Sequence, residues 1–365
     1  MSVRILSLRE LNRATLARQM LLEREGLSVT DAIGRLVGLQ AQLALPPYVG
    51  LWTRLRDFRR EDLSHLIESR EVVKATLMRG TLHLFTAEDY LRFRATLQPM
   101  LTGAGSAVAK QRGGDFDVDS LLAAARSYID EKPRTFAEIS EMVAELMPDH
   151  DVGALRYTVR THLPLVQVPI TSGWSYSSKP AFALAESWIG KSISPEDNLR
   201  ELVFRYLAAF GPASVTDAQT WLGMKLKDTF EMLRPELQMY RDEGRRELFD
   251  LPKLSLPDDD TPAPVRFLPE FDNLLLSHSK RTRVIADQHR PKVYLPALRV
   301  AATVLVDGFV RGAWKIEKKK NAVTLVIELF DTLSKKDRAA LIEEGEQLIR
   351  FVEAEATSFE VWFAE

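Results

Sequence analysis

In the stretch GRLVGLQAQLALPPY, residues 34–48, two carboxamides stand two residues apart, Gln40 and Gln42, shortly before Pro46-Pro47. A glutamine does not titrate near neutral pH, so neither can serve as a general base; each offers a carbonyl acceptor and an amide donor. Aimed at a reacting centre, such a pair can hold a water by its hydrogens and face developing positive charge with fixed dipoles. Whether they aim at one place depends on the backbone. Ile33, Leu36, Val37 and Gln40 fall at helical spacing, which puts Gln40 on a buried stripe. A continued helix would turn Gln42 about 200° away. The two prolines favour extended backbone ahead of them. A chain that leaves the helix near residue 40 lets both amides point one way, with Ala41 toward the core. For an isolated Gln-x-Gln the commoner arrangement is a backbone cap and a solvent-facing amide, so the surroundings decide.

A second polar set lies in LMRGTLHLFTAEDY, residues 77–90, where Arg79, Thr81 and His83 alternate on one face of an expected strand. That pattern equally suits the polar side of an ordinary strand. Other chemistry is missing. No phosphate-binding glycine loop, dinucleotide fingerprint or nucleophile elbow is present. The six histidines have no metal-ligand spacing and there is no cysteine, so neither a metal site nor a nucleotide cofactor is expected. The longest apolar run, VAATVLV at 300–306, is too short to span a bilayer, and the charged N-terminus has no leader-like apolar core. A cytoplasmic protein is expected. The net charge of −2 excludes a uniformly basic coat but leaves room for local basic patches.

The elements that must position these residues repeat. SVTDA occurs at 28–32 and again at 214–218, each time as a helix start with a serine cap and an acid three residues on. TFAEISEMVAEL at 135–146 opens with a Thr135–Glu138 capping box. From NLRELVFRYLAAFG to LQMYRDEGRRELFDL the order is helix, short helix, turn, helix, then a hairpin around Glu243-Gly244, the order of a winged helix-turn-helix. Residues 119–178 follow the same order, and residues 8–85 do so less regularly. A proline- and acid-rich linker then leads to alternating strands with turns at Asp307-Gly308 and Lys320-Asn321, a helix and a last strand. The reading is an α+β, mainly helical chain. It has three tandem winged helix-turn-helix units, residues 1–115, 116–195 and 196–257. A C-terminal α/β element, residues 258–365, is expected to pack on the third.

GLQAQ, RGTLHLFTAEDY, FGPASVTDAQTWLG, LPEFDNLLLSHSKRTRV and VLVDGFVRGAWK, in this order, resemble the tandem winged-helix DNA glycosylases of the AlkZ and YcaQ type. The likeness runs over nearly the whole chain. It implies three winged helices in a C-shape around duplex DNA carrying alkylated purines, and hydrolysis of their N-glycosidic bonds, including those of interstrand crosslinks. The family motif is Gln, an apolar residue, then Gln or Asp. Gln40 and Gln42 match the Gln-x-Gln form, the AlkZ-like branch that includes self-resistance enzymes of bacteria making alkylating antibiotics, and are the expected catalytic residues. Phosphate contacts are expected from His278, Lys280, Arg281 and Arg283, and from Arg311, Lys315, Lys318, Lys319 and Lys320. A charge run such as the last three is as often a solvated face. Arg79 and Thr81 are placed near the damaged strand, with His83 as a donor to phosphate or sugar or, equally, a satisfied core histidine. A monomer is expected. The rival readings are a winged-helix transcriptional regulator without catalysis and a lesion binder that has lost it.

Overall fold

Short polar residues start the helices where the sequence places them. The computed structural model describes residues 3–319 and 322–364. After a short strand β1 (Ile5–Leu6), Ser7 caps helix α1 (Leu8–Arg18) in a capping box with Glu10, and Ser28 caps α2 (Val29–Arg35). Strand β2 (Leu39–Gln40) follows. Pro46 and Pro47 then open α3 (Pro46–Trp52), where a missing N–H costs nothing and φ is already helical. Helix α4 (Arg60–Glu68) leads to β3 (Val72–Thr76) and β4 (Leu82–Thr86), and Thr86 caps the long α5 (Ala87–Gln111).

Helix α6 (Val118–Glu131), strand β5 (Arg134–Thr135), helices α7 (Phe136–Leu146) and α8 (Val152–His162), strands β6 (Leu165–Gln167) and β7 (Ala181–Leu184), and helix α9 (Ala185–Ile189) come next. Then α10 (Leu199–Phe210), α11 (Val215–Leu222) and α12 (Lys227–Leu233) precede the hairpin β8 (Gln238–Asp242) and β9 (Glu247–Asp250). In that hairpin turn Arg245 takes the positive φ, 65°, and Gly244 does not.

The sheets cut across the three expected units. Strands β2, β4, β3, β6, β7 and β5 form one sheet, so the strands of the first two units are joined through the Ala75↔Val166 pair. Strand β1 pairs in parallel with β8, tying the first residues to the third unit's hairpin.

Beyond the linker, β10 (Arg266–Leu268) precedes α13 (Arg290–Val293) and the small hairpin β11 (Tyr294–Leu295) and β12 (Arg299–Val300). Strands β13 (Thr303–Val306), β14 (Phe309–Lys319) and β15 (Ala322–Leu329), helix α14 (Lys335–Val352) and β16 (Ser358–Ala364) complete the chain. The Asp307-Gly308 turn forms as expected, with both residues at positive φ. The expected Lys320-Asn321 turn lies outside the described residues.

The apolar core of the C-terminal sheet takes in Val49, Leu45, Trp52 and Trp174, from the regions before residue 195. Contact with the third unit is made by the segment before β11: Tyr206 Oη donates to Ser277 O at 2.9 Å, and Ser279 bonds Asp217. No described helix is long and apolar enough to cross a membrane.

Candidate active site

Helix α2 ends five residues before Gln40, earlier than its apolar spacing suggests. Leu36 closes it, and Val37 and Gly38 take φ of 55° and 78°, turning the chain into β2. Only glycine fits at 38, because a Cβ there would lie 1.9 Å from the Phe85 ring. Asn273 locks the turn. Its Nδ2 donates to Gly38 O at 2.7 Å, and its Oδ1 accepts from Gln40 N at 3.2 Å. Gln40 therefore sits in a strand paired with His83, not on a helical stripe. The same register carried two residues on sets Gln42 opposite Thr81, with Ala41 buried between the glutamines.

Both amides are oriented by donors. Gln40 Oε1 accepts from Arg79 Nη2 at 2.6 Å. Gln42 Oε1 accepts from the backbone N–H of Leu82 at 3.2 Å, while Ala41 N donates to Leu82 O at 2.8 Å. Each oxygen thus keeps one lone pair, and each NH2 has no protein partner among the described residues.

Arg79 adopts φ 57° in the tight turn 78–80 and is held from two sides. Its other guanidinium nitrogen donates to Trp221 O, and the group lies 4.4 Å from the Trp221 ring centroid. Gly223 approaches so closely that a Cβ would meet the Arg79 backbone at 3.2 Å. Burial, and then Arg281, pull the Arg79 pKa down to about 10, which leaves it charged at neutral pH.

Gln40, Arg79, Thr81 and Arg281 line one cleft of about 570 Å³ together with Phe271, Tyr294, Leu298 and Arg299. The β11–β12 hairpin supplies the last three. At its tip Ala297 and Leu298 both have φ near 58°, and Leu298 is 92% exposed. A neighbouring groove shares Leu295 and Arg299 with this cleft and is lined by Trp314, Trp362 and Lys315.

The family model "DNA glycosylase AlkZ-like" matches residues 33–351. The chain belongs to the AlkZ-like DNA glycosylase family. A curated relative from Streptomyces sahachiroi, named as an interstrand DNA cross-link repair glycosylase, is 27% identical over 332 residues, covering 84% of this chain and 87% of its own. The solved structure of the Streptomyces sahachiroi DNA glycosylase AlkZ superposes with a TM-score of 0.81. It covers 99% of this chain and 100% of its own at 23% identity, and so speaks to the fold.

In this AlkZ-like chain the expected DNA contacts scatter. Arg79, Thr81 and Arg281 gather at the Gln40 cleft. His83 is fully buried. Its Nδ1–H donates to Thr81 O at 3.0 Å, its Nε2 is an unpartnered lone pair, and burial with nearby Arg79 holds its pKa at about 3. It is neutral and turned inward, which corrects its expected role as a donor to DNA. His278 and Arg283 are likewise internal. His278 donates from Nε2 to Phe210 O at 3.0 Å, and Arg283 donates to Pro212 O at 3.0 Å and Thr15 Oγ1 at 3.2 Å. Their partners are carbonyls and a hydroxyl far away in sequence, so both stitch the third helical unit to the segment before β11.

Lys280 is exposed, 3.8 Å from Asp242 and away from the Gln40 cleft. Arg311, Lys315 and Lys318 form surface ion pairs with Asp331, Glu317 and Glu353. Lys319 is exposed, and Lys320 lies outside the described residues. Sequence reasoning missed Asn273, Arg290, Arg299 and the Leu298 tip. Asn273 stood in the quoted LPEFDNLLL segment, but the tip carries no glycine or asparagine to mark its turn.

Proposed function

We propose that this protein is a monofunctional DNA glycosylase that hydrolyses the N-glycosidic bond of cationic purines alkylated at N7 or N3, bulky adducts and interstrand crosslinks included. The observation that carries the reading is the oriented amide pair, Gln40 lining the cleft and Gln42 two residues on, in a chain of the AlkZ-like family. An alkylated purine already bears positive charge and leaves readily. Its departure builds oxocarbenium character on the sugar, as in glycoside hydrolysis. The protein then has to place a water and to set acceptor dipoles against the cation.

The two glutamines differ in this respect. Gln40 gives one lone pair to a charged guanidinium, which weakens its oxygen as a partner for a cation. Gln42 is held by a neutral N–H and keeps its dipole. Gln42 is therefore the residue that holds the water and faces the sugar, and Gln40 steadies the sugar or orients the water. In the same reading, residues 1–115, 116–195 and 196–257 are three winged-helix units set in a C-shape around a duplex. Residues 258–365 are the attached α/β element, and the protein acts as a monomer. Arg79, Thr81 and Arg281 stand nearest the reacting nucleotide. The exposed Leu298 tip suits an apolar wedge that opens a base step.

Single-turnover excision of N7-methylguanine should fall by orders of magnitude in Gln42→Ala while duplex binding persists. Gln40→Ala should fall less. Equal loss of binding and rate would assign Gln42 a structural role, and release of unmodified guanine at a comparable rate would refute the leaving-group argument.

A further inference from the structure

Helix α8 is charged in one sense. Its sequence VGALRYTVRTH contains Arg156 and Arg160 and no acid, whereas the preceding α7 carries Glu138, Glu141 and Glu145. Arg156 and Arg160 stand one turn apart, on one face. Both guanidiniums lie beside the Phe136 ring, at 5.6 and 5.9 Å from its centroid. Arg160 Nε donates to Thr76 Oγ1 at 2.9 Å, and Arg156 Nη1 donates to Ser140 Oγ at 3.3 Å.

Neither arginine meets a carboxylate among the described residues. This sets Arg160 apart from the buried Arg18 and Arg54, which pair with Asp250 and Asp272 at 2.7 and 2.8 Å. Burial pulls the Arg160 pKa down, opposed in part by Tyr157 and reinforced by Arg156. Lys74, on the same strand face as Thr76, is also without a carboxylate and rests over the Tyr176 ring at 4.9 Å. Positive charge is thus concentrated on one side of the sheet and left uncompensated.

The end of that strand adjoins the candidate site, although Thr76 and Lys74 lie on the opposite face of the sheet from Gln40 and His83. Thr76 pairs with Leu82, whose N–H holds Gln42, so Arg160 stands about two strand spacings from Gln42, on the order of 10 Å. Tyr157, between the two arginines, comes against the turn that carries Arg79: a Cβ on Gly80 would lie 3.1 Å from its hydroxyl.

We propose that Arg156 and Arg160 form a phosphodiester-binding site that grips the DNA backbone a few nucleotides from the reacting sugar. Two guanidiniums with free N–H edges and no carboxylate at ion-pair distance among the described residues match the charge and fork geometry of phosphate oxygens. The site rests on the reading of the protein as a DNA glycosylase.

The test is the salt dependence of binding to a duplex containing one N7-methylguanine, measured on the full chain. Each lost phosphate contact should lower the slope of log affinity against log salt by about 0.9. Arg156→Gln/Arg160→Gln should therefore reduce the affinity lost between 50 and 200 mM salt about tenfold relative to wild type. Arg156 is exposed, so Arg156→Gln alone leaves the packing intact and should remove half of that effect on the logarithmic scale. Arg160→Lys should keep the slope while weakening binding, because charge is retained and the fork is lost. The control is Arg126→Gln, an exposed arginine on α6, which should leave the slope unchanged.

A wild-type slope in the double variant overturns the site while leaving the glycosylase reading in place. An equal drop in the control also overturns it, by showing diffuse charge. A wild-type protein that binds no duplex at low salt defeats both.

Discussion

The same five residues, SVTDA, begin α2 and α11, and the two copies are put to opposite uses. At the first, Ser28 and Asp31 are exposed: Ser28 Oγ accepts from Asp31 N at 3.1 Å, donates to Asp31 Oδ2 at 2.6 Å and lies 3.1 Å from Thr30 Oγ1, all within its own helix start. At the second, Asp217 is fully buried. It accepts from Ser214 N, Ser214 Oγ, Ser279 N and Ser279 Oγ at 2.6–3.0 Å, and Arg246 lies at 3.3 Å. Both helices end at the candidate site. Helix α2 runs through Gly38 into Gln40, and α11 ends in Trp221 and Gly223 against Arg79, the partner of Gln40. A local motif therefore fixes only where a helix starts. What the carboxylate does afterwards depends on what packs over it. At the first copy the demanding residue is the glycine at the far end, and at the second it is the aspartate at the near end.

The largest expected effect tests the second copy. Asp217→Ala strips an acceptor from the buried Ser214 donors and the partly buried Ser279 donors and leaves Arg246 with Asp242 as its carboxylate, a change expected to destabilise by about 3–5 kcal/mol. Denaturant melts at neutral pH measure it. The pH dependence carries a sign. Burial alone would raise the Asp217 carboxyl, but nearby positive charge, Arg283 and Arg246 included, and the Ser279 hydrogen bond hold it well below the ordinary carboxylate range. Its contribution is complete above the unfolded-state pKa near 4 and is lost as pH falls toward the folded value. Wild type should lose stability steeply below about pH 5, and Asp217→Ala should lose part of that slope. An unaltered acid limb would mean that the carboxylate is not the group being titrated.

The glycines should rank the other way. Gly38→Ala combines a positive φ with a Cβ 1.9 Å from the buried Phe85 ring, so ring and strand must both move. The αL strain and the overpacking together are expected to cost about 2–4 kcal/mol. Because the displaced strand carries Gln40, excision should fall with stability. Gly223→Ala has a similar φ, 76°, but its Cβ would meet Arg79 at 3.2 Å, a contact that a small shift relieves. About 1–2 kcal/mol is expected there, with a smaller loss of excision through Arg79. Paired melts and single-turnover rates decide the order, and a Gly223→Ala variant worse than Gly38→Ala would reverse the comparison.

How far these differences could be read in advance depends on how local their causes are. Caps are local, and Ser28, Thr135 and Ser214 start helices where their spacing with an acid predicts. The glutamine pair stood out as a candidate, because two amides before a double proline are unusual residues for a packed stripe. The end of α2 was misread for a physical reason. Leu36 and Val37 are buried in the turn as they would be in a helix, so hydrophobic spacing alone did not mark the break, and Gly38 was the signal that did. The run HSKRTR hid more. His278 and Arg283 point inward to carbonyls about 70 residues away, while Arg281 points to the cleft, and no charge pattern distinguishes a cation satisfied by distant backbone from one facing solvent. The β11–β12 tip was illegible because Ala297 and Leu298 hold conformations that turn-forming residues usually take.

The smallest expected effect completes the comparison at the first copy. Asp31→Ala removes a carboxylate from the first turn of α2, where it favours the helix dipole and steadies the Ser28 hydroxyl. The cap itself survives, since Ser28 Oγ still accepts from the backbone N–H of residue 31. Both side chains are exposed, and no distant group depends on them. The loss should be about 0.3–1 kcal/mol, with excision unchanged. The same substitution in the same five-residue motif would then differ severalfold in effect between the two copies. A loss at Asp31 approaching that at Asp217 would mean that the first carboxylate has a partner beyond its own helix, and that the two copies are closer in use than their surroundings indicate.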